Sequence, residues 1–262
     1  MASPTMGSVA RGSTEHLHAE AHFKAHSPYG LPIVDHCQSC ELRKAGFFCS
    51  LSRETVQAVD QIKHTTSYPE GALVCVEGQA ARGVYILCAG RAKLLTTNPE
   101  GKTLILKIVQ PGEILGLHSV MSGRPYEFTV ETLQPAQVAF IAAEDFLRLL
   151  KTHGDACLKA TVHLSQDCQS AYRLIRSIGL CSSASEKLAR LLLEWAAQGQ
   201  PSNGAVRVKL SLTHEEIAQL IGISRETVTR TLGEFRKHGV IELNGSTLLL
   251  RSKAALERMA AY

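Results

Sequence analysis

The chain has 262 residues, a net charge of +4 and 45% hydrophobic residues, which suits one large or two ordinary domains with cores of their own. No run approaches the ~18 uninterrupted apolar residues of a membrane span, and Met1 to Glu20 lack the apolar core of a secretory signal, so a cytoplasmic chain with no membrane role is expected. Eight cysteines in that compartment should then be reduced or metal-bound, not a disulfide framework.

Residues 1–33 are dominated by Gly, Ser, Ala and Pro and show no apolar period, the composition of a disordered tail. Its His16, His18, His22 and His26 have no fixed frame to gather them around a metal. A C-x2-C-x8-C run follows at Cys37, Cys40 and Cys49. Two thiolates separated by two residues can grip one metal centre, and the third returns after a short loop. Ser52 then caps a short helix through Val56 and Val59.

From Lys63 to Phe140 short β runs alternate with glycines. Strands are predicted at Leu73 to Val76, Val84 to Leu87, Ala92 to Thr96, Leu104 to Val109 and Gln137 to Ile141, a spacing that makes a small barrel or roll. Residues 34–150 are thus read as one unit, the cysteine run plus the roll. A helix from Asp155 to Ser177 carries Leu158, Val162, Ser165, Gln169, Tyr172 and Ile175 at spacings of three and four, with Cys168 flanking them. That stripe can pack on the roll or on a second copy of itself. Gly179 and Cys181 to Ala184 supply a hinge, so residues 151–181 are read as this helix and its exit.

Residues 182–262 have the pattern of a winged helix-turn-helix. Ser183 with Glu186 caps a helix that buries Leu188, Leu191, Leu192 and Trp195. Thr213 with Glu216 forms a second capping box, Gly222 ends that helix, and Ser224 starts the next, which turns Val228, Leu232 and Phe235 inward. Asn244-Gly245-Ser246 between two apolar runs is a hairpin, and Val206 to Leu210 can add a third strand. On the outer face of the last helix, Glu226, Thr229 and Arg230 line up, with Arg225 at its start. Arginine can bond guanine O6 and N7 together, and glutamate can accept from cytosine N4, so these four are the candidate base readers. Thr213, Ser224 and Thr227 stand near helix N-termini, where hydroxyls and free amides favour a phosphate. Eleven Lys and Arg against eight Asp and Glu from Ser183 onward place most of the net charge here.

The stretch Ile-Gly-Ile-Ser-Arg-Glu-Thr-Val-Thr-Arg ending at Arg230 resembles the recognition segment of the CRP/FNR superfamily of bacterial transcription regulators. Tyr68-Pro69, Gly90, Glu100-Gly101-Lys102 and Pro111 to Gly116 resemble its cyclic-nucleotide-binding roll, so the likeness spans roughly residues 37–250. The resemblance implies an α+β fold with an N-terminal β-roll, a long dimerisation helix and a C-terminal winged helix-turn-helix. It further implies a homodimer on palindromic double-stranded DNA, with RNA polymerase as partner. In that family a glutamate and an arginine four residues on read the half-site, which match Glu226 and Arg230, with Arg225 matching a further arginine of one branch.

The nucleotide pocket departs from the family pattern. Leu117 stands where a ribose-holding glutamate is expected, and Tyr126-Glu127-Phe128-Thr129 where an arginine-serine pair takes the phosphate. Glu127 would repel a phosphate, although Arg124 and His118 remain as cations, so cyclic nucleotide is not the expected ligand. The N-terminal cysteines resemble those of the oxygen-sensing FNR branch, where they hold a [4Fe-4S] cluster. There the gap before the third cysteine is shorter, and the fourth ligand comes from a strand position where Ala139 stands here. Cys88, Cys75, His36 and Asp35 are the candidates to replace it, and the sequence does not choose among them. The expected signal is oxygen, redox state or nitric oxide. A zinc site, a thiol-disulfide switch, a nucleotide-responsive regulator, or a metal protein with no DNA role are the alternatives. No P-loop, dinucleotide fingerprint, nucleophile motif or zinc-hydrolase pair occurs, so no enzyme is expected.

Overall fold

A computed structural model describes residues 29–31, 36–40, 46–180, 183–197, 199–202, 205–209, 212–245 and 247–260. Nearly all of the tail expected at 1–33, including its four histidines, lies outside the described residues, as do Asp35, Cys181, Leu210 and Ser246.

Cys37–Ser39 form one 3-10 turn. Helix α1 (Arg53–Ile62) starts at Ser52, whose hydroxyl accepts the Thr55 N–H, and it buries Val56 and Val59 as its apolar spacing predicts. The chain then builds a roll from β1 (Lys63–Tyr68), β2 (Leu73–Cys75), β3 (Gly83–Ala89), β4 (Ala92–Thr97), β5 (Thr103–Val109), β6 (Ile114–Leu115), β7 (Thr129–Thr132) and β8 (Ala136–Ala142). These form two antiparallel four-stranded sheets, ordered β1-β8-β3-β6 and β2-β7-β4-β5. The five predicted strands are present with ends shifted by one or two residues. Strand β1 escapes sequence reading because Lys-His-Thr-Thr-Ser-Tyr has no apolar alternation, and its order comes from edge pairing with β8.

Two helices that the pattern of short strands conceals close the roll: α2 (Leu117–Ser122) and α3 (Ala143–Thr152). Phe146 of α3 is fully buried and meets Phe48 edge-on at a centroid distance of 6.1 Å. Phe48 in turn packs at 4.8 Å on Phe47, whose N–H donates to Gly112 O at 2.7 Å. The two aromatics just before Cys49 therefore pin the cysteine-bearing segment to the roll core.

Helix α4 (Gly154–Leu180) has 27 residues, or roughly 40 Å at 1.5 Å per residue. Its Ala156 and Ala160 are buried against the roll, and Asp155 at its start accepts the Ser52 N–H and the Thr55 hydroxyl of α1. The C-terminal unit contains α5 (Ala184–Ala197), β9 (Gln200–Ser202), β10 (Ala205–Lys209), α6 (His214–Ile221), α7 (Arg225–Lys237), β11 (Ile241–Asn244), β12 (Thr247–Leu250) and α8 (Lys253–Ala260). Its sheet runs β11-β12-β10-β9 and covers a core of Leu188, Leu192, Ile217, Val228, Leu232 and Phe235. The wing and the third strand fall where the hairpin signal puts them. Strand β9 and helix α8 carry too few patterned residues to be seen in the sequence.

Phe146 touches both the roll and the cysteine-bearing segment. Truncation by Phe146→Ala should cost about 3–5 kcal/mol through lost burial and the cavity left behind. The change is to be measured by urea unfolding, with the tryptophan of the C-terminal unit reporting separately from far-UV circular dichroism.

Candidate nucleic-acid interface and cysteine pocket

The turn between α6 and α7 is set by side chains on both sides. The Thr213 hydroxyl accepts the Glu216 N–H at 3.2 Å while Glu216 accepts the Thr213 N–H at 2.9 Å, a complete capping box. Gly222 ends α6 at φ 67°, a left-handed conformation that glycine adopts without strain. Ser224 then caps α7 by accepting the Thr227 N–H at 3.2 Å. Val228, Thr231, Leu232 and Phe235 face the core, so the opposite side of the same helix must face solvent. Arg225, Glu226, Thr229 and Arg230 are all exposed there.

Local contacts prepare this face. The Glu226 carboxyl lies below the usual carboxylate range because its own backbone N–H and the Ser224 hydroxyl stabilise the charge, so it is an acceptor at neutral pH. The Thr229 hydroxyl donates to Arg225 O at 3.0 Å and lies 2.9 Å from His214 Nδ1. His214 thus braces α7 from α6, a role without any sequence signal. Thr213 and Ser224 are exposed, and Thr227 is half-buried beside Ser224, with the two hydroxyls 3.0 Å apart.

The other side of α6 meets the roll. Lys93 of β4 reaches Glu131 of β7 at 3.0 Å and Glu216 of α6 at 3.3 Å, with only 12% of its side chain exposed. Burial works against the Glu216 charge, but bonds from Thr213 and Lys93 outweigh it and hold the carboxyl below its usual range. One carboxylate therefore caps α6 and ties it to the roll. Ile108 and Leu133 of the roll also pack on the winged-helix core. Between roll, α4 and winged helix lies a cavity of about 1280 Å³.

The roll side of that cavity includes Leu117, His118, Glu127 and Phe128. Tyr126 is buried, its hydroxyl donating to Gly83 O at 2.7 Å, and its ring comes within 2.9 Å of where a Gly116 Cβ would stand. Arg124 is exposed at the surface. His118 Nε2 lies 3.4 Å from Asp167 Oδ2, and His163 Nδ1 lies 3.0 Å from the same oxygen.

Cys37, Cys40, Cys49 and Cys88 line one small pocket with Lys63, Val59 and Ala139. Cys88 sits at the register shift in β3, two residues past Ile86, which pairs with Ala139. A bulge of this kind re-aims a side chain, and Cys88 lines the same pocket as Ala139. Cys75 belongs to a different core, packed with Tyr68, Tyr85 and Tyr126. His36 is exposed. Among the described residues no three His, Cys, Asp or Glu side chains are placed as ligands of one metal ion. The pocket holds only about 20 Å³, the space of about one water. Burial first, then Cys40 and Cys37, push the Cys49 thiol up to about 11, and burial followed by Cys37 pushes Cys88 up to about 12. Metal binding would have to release those protons.

Lys63, which lines this pocket, and Asp60 behind it are marked by no local motif. Lys63 Nζ lies 3.1 Å from Cys37 Sγ and 2.8 Å from Asp60 Oδ1, while both Asp60 oxygens accept the Cys37 N–H, at 2.9 and 3.2 Å. The stripe on α4 faces outward: Leu158, Val162, Ser165, Gln169, Tyr172 and Ile175 are all exposed, Leu158 and Ile175 by about two thirds.

With this geometry in place, two family models match the chain: a cyclic nucleotide-binding domain over residues 65–153 and a Crp-like helix-turn-helix domain over residues 186–259. The chain is 26% identical over 220 residues to a CRP-like cAMP-activated global transcriptional regulator of Mycobacterium tuberculosis, covering 84% of this chain and 98% of that protein. It is 25% identical to the nitrogen fixation regulation protein FixK of Bradyrhizobium diazoefficiens, over 86% of this chain and 94% of that one. In fold it is similar to FixK2 from Bradyrhizobium japonicum, with TM-score 0.68 and 20% identity over 77% of this chain and 98% of that one. A CooA variant from Carboxydothermus hydrogenoformans gives TM-score 0.70 and 22% identity, over 83% and 96%.

The Lys93 bridge makes a direct prediction. Lys93→Met should leave the capping box intact but loosen α6 from the roll, so that amide exchange rises in β5 and in the half of α6 that packs on it. Exchange followed by mass spectrometry checks this, with α5 and α8 expected to stay as protected as before.

Proposed function

The chain belongs to the CRP/FNR superfamily of DNA-binding transcription regulators, and from that premise we propose that it is a homodimer that reads a palindromic site. We propose further that oxygen, redox state or nitric oxide reaches it through the cysteine pocket. The observation that carries the DNA half is the exposed row of Arg225, Glu226, Thr229 and Arg230 on α7, opposite a fully packed inner face. Thr213, Ser224 and Thr227 stand at the N-terminal ends of α6 and α7, the places for phosphate contacts. The outward stripe on α4 supports a two-fold dimer, since apolar residues this exposed gain most by meeting their own copy. RNA polymerase is the partner this reading assigns.

The signal half rests on four thiols around one pocket. Their chemistry fits a [4Fe-4S] cluster, with Cys88 as the fourth ligand in preference to Cys75. Such a group supplies lability to oxygen and nitric oxide. The chain's own part is to hold four sulfurs and to carry their movement onward. Because the pocket has room for about one water, it has to widen to take a cluster, and with Cys37 held by Asp60 and Lys63 the movement falls to the other cysteines. Cys49 stands two residues after Phe47, which packs edge-on against His163 of α4 at 5.4 Å. A change at the cysteines is thereby passed to the helix that forms the dimer. Cyclic nucleotide is set aside as the signal because Leu117 and Glu127 line the roll side of the large cavity.

Arg230→Ala should cost about 1–3 kcal/mol on the cognate site and relax preference for one guanine, while Thr227→Ala should weaken all sequences alike. Equal loss on specific and random duplex for Arg230→Ala would contradict the base-reading role. Val162→Glu places like charges across the two-fold seam and should give monomers with poor DNA binding. Sedimentation that shows an unchanged dimer would move the interface elsewhere. Protein purified without oxygen should be coloured and contain iron with acid-labile sulfide. Colourless protein with one equivalent of zinc would favour the zinc alternative.

A further inference from the structure

We infer that Lys63, steadied by Asp60, is a positioning residue of the cysteine centre: its ammonium holds the Cys37 sulfur and offsets the negative charge of the gathered thiolates. This rests on the reading of the pocket as a cofactor site. The geometry is a closed set of contacts on one cysteine. Asp60 takes the Cys37 N–H with both oxygens and holds Lys63 at 2.8 Å, while Lys63 reaches the Cys37 sulfur at 3.1 Å. Main chain and sulfur of Cys37 are thus fixed by the same ion pair.

An ion pair serving only stability has no need for this place. Lys63 and Asp60 side chains are 5% and 14% exposed, and lysine is seldom so buried, because taking an ammonium out of water is costly even when paired. A lysine offers three N–H donors, and here one of them is spent on a sulfur. Among the described residues Lys63 is also the one charged residue that lines the pocket, the others being cysteines, apolar side chains and Gly112. Four metal-bound thiolates in such surroundings carry net negative charge with little solvent to balance it. A cation placed at hydrogen-bond distance from one of the sulfurs is the group that lowers this cost. Hydrogen bonds to sulfur and net charge are also the levers by which a protein sets the potential of an iron-sulfur group.

The test uses full-length protein prepared without oxygen as wild type, Lys63→Met, Lys63→Arg and the double variant Asp60→Asn with Lys63→Met. The double variant removes the unpaired buried carboxylate that the single change would leave. Iron per chain, midpoint reduction potential and melting temperature are measured for each. Expected is a shift of the potential to more negative values in Lys63→Met and in the double variant, with most of the shift restored in Lys63→Arg. Iron lost from Lys63→Met and regained in Lys63→Arg supports the same role. A coloured wild type with unchanged potential in both Met variants overturns the role of Lys63 alone. Iron lost from every variant, Lys63→Arg included, together with a lowered melting temperature, marks a structural staple and also overturns it. A wild type without iron overturns the cofactor reading and this assignment together.

Discussion

The seating of α4 on the roll through Ala156 and Ala160 is the contact on which the other parts depend. Both alanines are buried, and small side chains at a spacing of four let the helix approach the roll closely on one face. Leu158, Val162, Tyr172 and Ile175 are consequently left facing outward. The same seating brings His163 against Phe47 and Asp167 against His118. One helix therefore touches the cysteine-bearing segment, the roll and the surface assigned to the second copy.

The coupling proposed between the cysteine pocket and α7 has two physical routes in this arrangement. The first runs along α4, from Phe47 and His163 into the exposed stripe proposed as the dimer seam. The second is the Lys93 bridge, where a single ammonium is shared between Glu131 of the roll and Glu216 of the reader. Glu216 is also the capping-box partner of Thr213 at the start of α6, so a side chain that fixes the start of the helix-turn-helix is tied to the roll. A two-state element biased at both ends is what allosteric control requires. Relative movement of roll and α6 would have to break or re-form this buried pair.

Much of the winged helix was legible because its signals are local. Thr213 with Glu216, Gly222, Ser224 and Asn244-Gly245 each act within a few residues, and each is found in the predicted role. The outward row on α7 follows from helical spacing once the inner face is known. The roll was readable as a class, but β1, β6 and β7 were not, since their order comes from partners far along the chain. The same holds within the cysteine pocket. Cys37, Cys40 and Cys49 announce themselves by spacing, whereas Asp60 and Lys63 lie 23 and 26 residues beyond Cys37 and are joined to it only by the fold. Choosing Cys88 over Cys75 likewise needed the sheet, because both stand on apolar strands and only strand order separates their cores.

The claim that most needs testing is that the cysteine pocket governs the α7 reading face, and operator affinity measured across the change in oxygen tests it most directly. Binding of full-length protein to a labelled palindromic duplex should be followed by fluorescence anisotropy at fixed salt, first without oxygen and then after exposure to air, for wild type and Cys88→Ser. Wild type should lose at least tenfold in affinity on exposure, while Cys88→Ser should bind weakly and equally under both conditions. Wild-type affinity that is tight and indifferent to air, with Cys88→Ser unchanged from it, would contradict control by these thiols.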